Sequence, residues 1–173
     1  MNMASENKMR EIMVAKVTVN MGIGPEPAEM KVGQKIIEKI TGSKAIQTKC
    51  KVRQPKWGVR PGLPIGLKVT LRDQKAEEFL KRGLAAKGNA LKAKSFDNQG
   101  NFGFGIHEYI DLPGVKYDPT LGVKGFDVLV TLERPGFRVK RRKIRSAKVG
   151  KIHSIPREEA MNFVQKKFGV VFE

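Results

Sequence analysis

The stretch Val14-Ala15-Lys16-Val17-Thr18-Val19-Asn20-Met21, running into Gly22-Ile23-Gly24-Pro25, decides the fold. Val17, Val19 and Met21 alternate with Lys16, Thr18 and Asn20, so an extended chain sends the first set to one face and the second to the other. The glycines and proline then end the strand. A strand with one apolar face needs a covering layer on that face only. Residues 29–40 supply one: Val32, Ile36, Ile37 and Ile40 fall on one side of a helix, and Gly42 suits its C-terminal stop.

The same alternation of types continues outward. Residues 45–52 read as a second strand, with Ile46, Thr48 and Cys50 against Gln47, Lys49 and Lys51. Residues 53–66 are rich in Pro, Gly and basic side chains and read as a loop. Leu67, Val69 and Leu71 mark a third strand, and Ala76, Phe79, Leu80 and Leu84 the inner face of a helix over 74–86. Two further strands follow at 101–106 and 126–132, the second with Phe126, Val128, Val130 and Leu132 on one side. Ser154 and Pro156 open a last helix, with Glu158 and Glu159 in its first turn and Ala160, Phe163, Val164 and Phe168 facing inward. The predicted class is α+β: one two-layer domain over 1–173, a mainly antiparallel sheet with helices packed on one face.

Charge narrows the partner. The 173 residues hold 34 Lys plus Arg against 17 Asp plus Glu, a net of +17. A compact domain so charged repels itself, and a polyanion relieves the repulsion. The charges are grouped. No acid lies between Glu38 and Asp73, between Glu78 and Asp97, or between Arg134 and Arg157. The last interval contains Arg138-Val139-Lys140-Arg141-Arg142-Lys143-Ile144-Arg145, within a basic extension at about 134–155 that carries no apolar period and is expected to order on RNA. On its own that cluster also fits a solvated tail or a localisation signal. The polar start at 1–11 lacks the apolar core of a signal peptide, and no apolar run reaches membrane-spanning length, so a cytoplasmic chain with no membrane partner is expected.

Candidate chemistry is sparse. Cys50 is the only cysteine, so neither an internal disulfide nor a cysteine zinc site is available. His107, Glu108 and Asp111 lie close in sequence, but no second ligand group follows at metal spacing. No metal, cofactor or catalytic residue is therefore assigned. Trp57 stands in the basic loop, where it either offers a stacking platform to a base or folds back as the loop's own anchor. Phe102, Phe104 and Ile106 alternate with glycines; core packing is favoured over base stacking.

Four blocks in order carry a family likeness: Val17-Thr18-Val19-Asn20-Met21-Gly22-Ile23-Gly24; Thr41-Gly42-Ser43-Lys44 with Thr48-Lys49 and then Gly62-Leu63-Pro64-Ile65-Gly66 into Lys68-Val69-Thr70-Leu71-Arg72; Lys94-Ser95-Phe96-Asp97 with Gly100-Asn101-Phe102; and Lys124-Gly125-Phe126-Asp127-Val128. Together they resemble the ribosomal protein L5 family of the large subunit. The extension at 134–155 looks like the archaeal and eukaryotic versions, and Pro61 stands where relatives are expected to carry a polar or basic residue.

The resemblance implies a ribosome-associated, non-catalytic protein that binds 5S ribosomal RNA and large-subunit ribosomal RNA in the central protuberance. It further implies a bridge to a small-subunit protein and a loop, here at about 51–66, directed at P-site transfer RNA. By matched position, the implied ribosomal RNA contacts are Thr18 and Asn20, then Gln47, Thr48 and Lys49, then Lys68, Thr70 and Arg72. The basic extension adds Arg138, Lys140, Arg141 and Arg142 on charge. Arg53, Lys56, Trp57 and Arg60 occupy the implied transfer-RNA-facing loop. Competing readings are a nucleic-acid chaperone acting by charge alone and an enzyme built on His107, Glu108 and Asp111.

Overall fold

The structure, a computed structural model, describes residues 7–173; the first six residues of the polar start lie outside it. The expected first strand is β1, Met13–Gly22. It is followed by α1 (Pro27–Thr41), β2 (Ile46–Lys49), β3 (Pro64–Leu71), α2 (Asp73–Ala86) and β4 (Ala90–Leu91). The second half comprises β5 (Phe102–Ile106), β6 (Phe126–Glu133), α3 (Arg138–Arg141), α4 (Arg157–Phe168) and β7 (Val171–Phe172).

Five strands form one antiparallel sheet in the order β2-β3-β1-β6-β5. β1 is central and pairs on both sides, Val19 lying opposite Val69 of β3 and Val128 of β6. Its inward side chains Val17, Val19 and Met21 are essentially inaccessible, as are Leu67, Val69, Leu71, Val128 and Val130 on the neighbouring strands. Each contributes about 1.5–3 kcal/mol by burial. α1 covers β3 with Met30, Ile36, Ile37 and Ile40, and α2 covers β1 with Ala76, Phe79, Leu80 and Leu84. Phe102, Phe104 and Ile106 of β5 are buried in the same layer, so they are core and not a stacking surface. The fold is the α+β single domain expected.

Local signals explain the element ends. Pro27 occupies the first turn of α1, which starts the helix two residues before its apolar face predicts. Gly42 ends it at φ 62°, its N–H donating to Glu38 O at 2.8 Å. β3 begins at Pro64, inside the stretch that reads as loop. Gly66 is a strand residue here because a Cβ at that position would meet Met21 O at 2.9 Å and Thr48 Oγ1 at 3.0 Å. A glycine that reads as a turn is a point of close strand approach. β2 is shorter than expected because the register slips after Thr48, although Cys50 N still donates to Leu63 O at 2.8 Å. β4 and β7 form a short parallel pair, which no periodicity in the sequence announces.

The basic extension departs most from expectation. Its two ends are pinned to the domain. Arg134 is buried, and its guanidinium donates to His153 O, Ser154 O at 3.2 Å and the Glu159 carboxylate of α4. His153 Nε2 donates to Pro135 O at 2.9 Å, and its ring meets Phe137 edge-on. Ile155 is fully buried. The apolar anchors are single residues spaced too far apart to give a period, so sequence patterning does not reveal them. Between them Ala147 N donates to Val139 O at 3.2 Å, closing the basic stretch into a compact turn.

Two substitutions test these points. Gly100 has φ +77°, and a Cβ there would lie 2.8 Å from Ile155 Cγ2 and 3.2 Å from Ala160 Cβ. Gly100→Ala is expected to cost about 1–3 kcal/mol through overpacking and backbone strain, read from the urea midpoint. Arg134→Leu leaves two carbonyls without a charged donor and should cost about 1.5–3 kcal/mol. It should also speed tryptic cleavage within 138–148; unchanged cleavage would show that the extension is held by something else.

Candidate nucleic-acid interface

The helices cover one face of the sheet, and the register orders the other. One cross-strand row runs Ile46, Lys68, Asn20, Asp127, Gly105. The next runs Thr70, Thr18, Leu129, Gly103. Thr48 lies opposite Gly66, and Lys16 opposite Thr131. Arg72 follows Thr70 by two residues in extended backbone and continues that side of β3. The structure therefore brings together Thr18, Asn20, Thr48, Lys68 and Thr70, as the strand pattern implies. Directly opposed side chains sit about 4.5–5.5 Å apart at Cβ, so Asn20 and Lys68 form one continuous polar strip.

Gln47 does not join them. It lies opposite Leu67, whose side chain is in the core, so Gln47 belongs to the helix side of the edge strand. Lys49 follows the register slip and lies opposite Pro64. Conversely, Asp127, Leu129 and the two glycines of β5 are on the strip, and sequence reasoning misses them. Their outward direction follows from the alternation of Phe126, Val128 and Val130, but their place beside Asn20 and Thr18 depends on strand order, which one sequence does not disclose. The strip thus carries one carboxylate, Asp127, among the cations Lys16, Lys68 and Arg72 of the same face. The glycines of β5 make room for side chains of β6: a Cβ at Gly103 would lie 2.8 Å from Leu129 Cδ2, and one at Gly105 3.5 Å from Asp127 Oδ1.

The loop between β2 and β3 is a long hairpin tip, closing at Pro64 and not at residue 66. Gln54 and Val59 exchange hydrogen bonds of 3.0 and 3.2 Å, and Gly58 takes a left-handed conformation at φ 64°. Val59 turns inward at 8% exposure, while Trp57 stands 75% exposed. The anchor is Val59, and the indole is left free for an outside partner. Arg53, Lys56 and Arg60 are exposed around it, as is Pro61.

In the extension Arg138 and Lys140 are exposed. Arg141 is already engaged, its Nη2 lying 2.8 Å from Glu133 Oε2, and Arg142 Nε donates to Arg145 O at 2.6 Å. The four cations are therefore unequal, and Arg141 is the least available to a phosphate. Away from this surface, Asp118 is held below the usual carboxylate range, chiefly by the hydroxyl and backbone N–H of Thr120, which donate to it, with Lys39 adding to the effect. His107, Glu108 and Asp111 are exposed, and among the described residues no group of three or more His, Cys, Asp or Glu is placed to hold a metal ion. Among those residues, no helix is long and apolar enough to cross a membrane.

Comparison with known proteins converges on the same family. The family described as "Ribosomal protein L5" matches residues 7–60, and the model of that ribosomal family's C-terminus matches residues 64–172. The first stretch contributes β1 and β2 and the second β3, β5 and β6, so the strand order interleaves the two into one sheet. The chain is 48% identical over 166 residues to "Large ribosomal subunit protein uL5" of Nanoarchaeum equitans, covering 95% of this chain and 98% of that one. It is 47% identical over 164 residues to the protein of the same description from Methanococcus vannielii, covering 93% and 91%. For that of Nitrosopumilus maritimus the identity is 44% over 170 residues, covering 98% of both. With both halves of the sheet matched and relatives aligned over nearly their whole length, the chain belongs to the ribosomal protein L5 family.

Proposed function

We propose that this chain binds 5S ribosomal RNA through the helix-free face of its sheet, as a structural and non-enzymatic constituent of the large ribosomal subunit. The observation that carries the reading is the strip of Thr18, Asn20, Thr48, Lys68 and Thr70 on one solvent-facing surface. Hydroxyl and amide groups donate and accept, so they can read ribose and base edges, while Lys68 and Arg72 at the same surface meet phosphates. Asp127 and Leu129 within the strip speak against binding by charge alone, since a carboxylate facing a phosphate surface is repelled.

The rest of the assignment follows the basic segments. Arg138, Lys140 and Arg142 meet large-subunit ribosomal RNA in the central protuberance, with Arg141 braced by Glu133. The stiff tip at residues 51–63, with Trp57 exposed among Arg53, Lys56 and Arg60, extends toward P-site transfer RNA. Neighbouring ribosomal proteins, including one of the small subunit that forms a bridge, complete the partners.

Asn20→Ala is expected to weaken binding of 5S RNA about fivefold, a loss near 1 kcal/mol, with no change in salt slope. Lys68→Ala should lower the slope of log affinity against log salt by about one. Equal affinity of the wild type for a random RNA duplex would sink the reading and favour the charge-only chaperone. Trp57→Ala should leave 5S affinity within about twofold, yet weaken transfer RNA held on reconstituted subunits by about fivefold or more; equal loss of both would show that the loop belongs to the 5S footprint.

A further inference from the structure

A cleft of about 860 Å³ lies where the end of the helix-free sheet face around Lys16 and Thr131 meets the folded extension. We infer that it receives a single unpaired nucleotide extruded from the ribosomal RNA this chain binds; the inference rests on the RNA-binding reading above and adds a second contact to it. Three kinds of side chain meet there. Asn98, Gln99 and Asn101 form one part of the lining. They sit on a short turn fixed by Asp97, whose carboxylate accepts from Gln99 N and Asn101 N, both at 2.8 Å. The side chains of Asn98 and Gln99 are exposed, so their amides are free to donate to and accept from a base edge. The half-buried ring of Phe137, held edge-on against His153 at 5.7 Å, lines the cleft as well and offers an aromatic surface. The extension adds Lys140 and Lys148, with Lys16 entering from β1.

The cleft's carboxylate, Glu133, is neutralised by Arg141 at 2.8 Å, so the field in the cleft remains positive. Amides for the base edge, a ring for its face and lysines for its phosphate match one nucleotide in chemistry. A duplex leaves the amides unused, because the Watson–Crick edges of its bases are already paired. Arg134 and Ile155 matter here as positioning residues: they tie the extension to the domain and so hold its lysines beside the amide turn.

The test is the double substitution Asn98→Ala with Gln99→Ala in the full chain, which removes no charge and alters only exposed side chains. Binding is measured to protein-free 5S RNA and to protein-free large-subunit ribosomal RNA, beside Asn20→Ala. The expected result is about tenfold weaker binding to one of the two RNAs with an unchanged salt slope. Chemical probing of Watson–Crick edges should show one unpaired base protected by the wild type and reactive with the variant, while the other protections persist. Unchanged affinity and protection, with Asn20→Ala still weakened, overturns the nucleotide cleft alone. If Asn20→Ala is also without effect, the RNA-binding reading falls with it. Displacement of the RNA contact by free AMP or CMP at equal affinity would assign the cleft to a free nucleotide and overturn the inference.

Discussion

Everything else in this structure depends on β1 pairing along both its edges. It is the strand between β3 and β6, and residues 16–22 find partners across the sheet on one side or both. That double pairing joins a strand near the start of the chain to strands from the middle and the second half. Neither matched segment of the family contains a complete sheet, so the domain forms only when distant parts of the chain meet. The cost is loop closure, which grows slowly with length, and the return is a core in which Val17 and Val19 are completely covered.

The same pairing settles what the open face displays. Because side chains alternate, burying Val17, Val19 and Met21 obliges Thr18 and Asn20 to face outward, and a slip of one residue would exchange the two sets. The register then places Lys68 and Asp127 on either side of Asn20. Opposite charges therefore flank the amide on a polar face that also carries Lys16 and Arg72. The denser groups of exposed cations lie on the hairpin tip, with Arg53, Lys56 and Arg60, and on the extension, with Arg138 and Lys140.

How much of this is legible in the sequence follows from the range of each interaction. The strands of the main sheet and the three long helices announce themselves through local periodicity, and Gly42 or Pro27 through local caps. The site is legible one strand at a time: Thr18, Asn20, Lys68 and Thr70 are outward wherever their strands lie. What is not legible depends on contacts between segments. Gln47 looks equivalent to Asn20 until the pairing with Leu67 turns it to the other side. Pro64 and Gly66 look like loop until Gly66 meets Thr48 and Met21. Trp57 and Val59 both have the composition of an anchor, and only the closure between Gln54 and Val59 assigns that part to Val59. The extension looks featureless because Arg134, Phe137 and Ile155 are isolated anchors, each packing on its own surroundings and none repeating at a helical or strand period.

The placement of acids completes the electrostatic design. With 17 acidic residues against 34 basic ones, each carboxylate matters most where it joins elements. Glu29 meets Lys124, Glu77 meets Lys167, Glu133 meets Arg141, Glu159 meets Arg134 and Asp118 meets Lys39. Most of these pairs are partly exposed and worth no more than about 1 kcal/mol each. Their effect is mainly geometric: α2 is tied to α4, β6 to α3, and α1 to the segments before β6. Arg134 is the exception because it is buried, and its carbonyl acceptors make its loss costly. The acids thus neutralise cations where the fold needs a joint and leave Arg53, Lys56 and Arg60 of the hairpin tip, with Arg138 and Lys140 of the extension, exposed to a polyanion. A chain arranged in this way holds its shape through the sheet and its pairs, and keeps its concentrated positive charge for the surfaces that project from them.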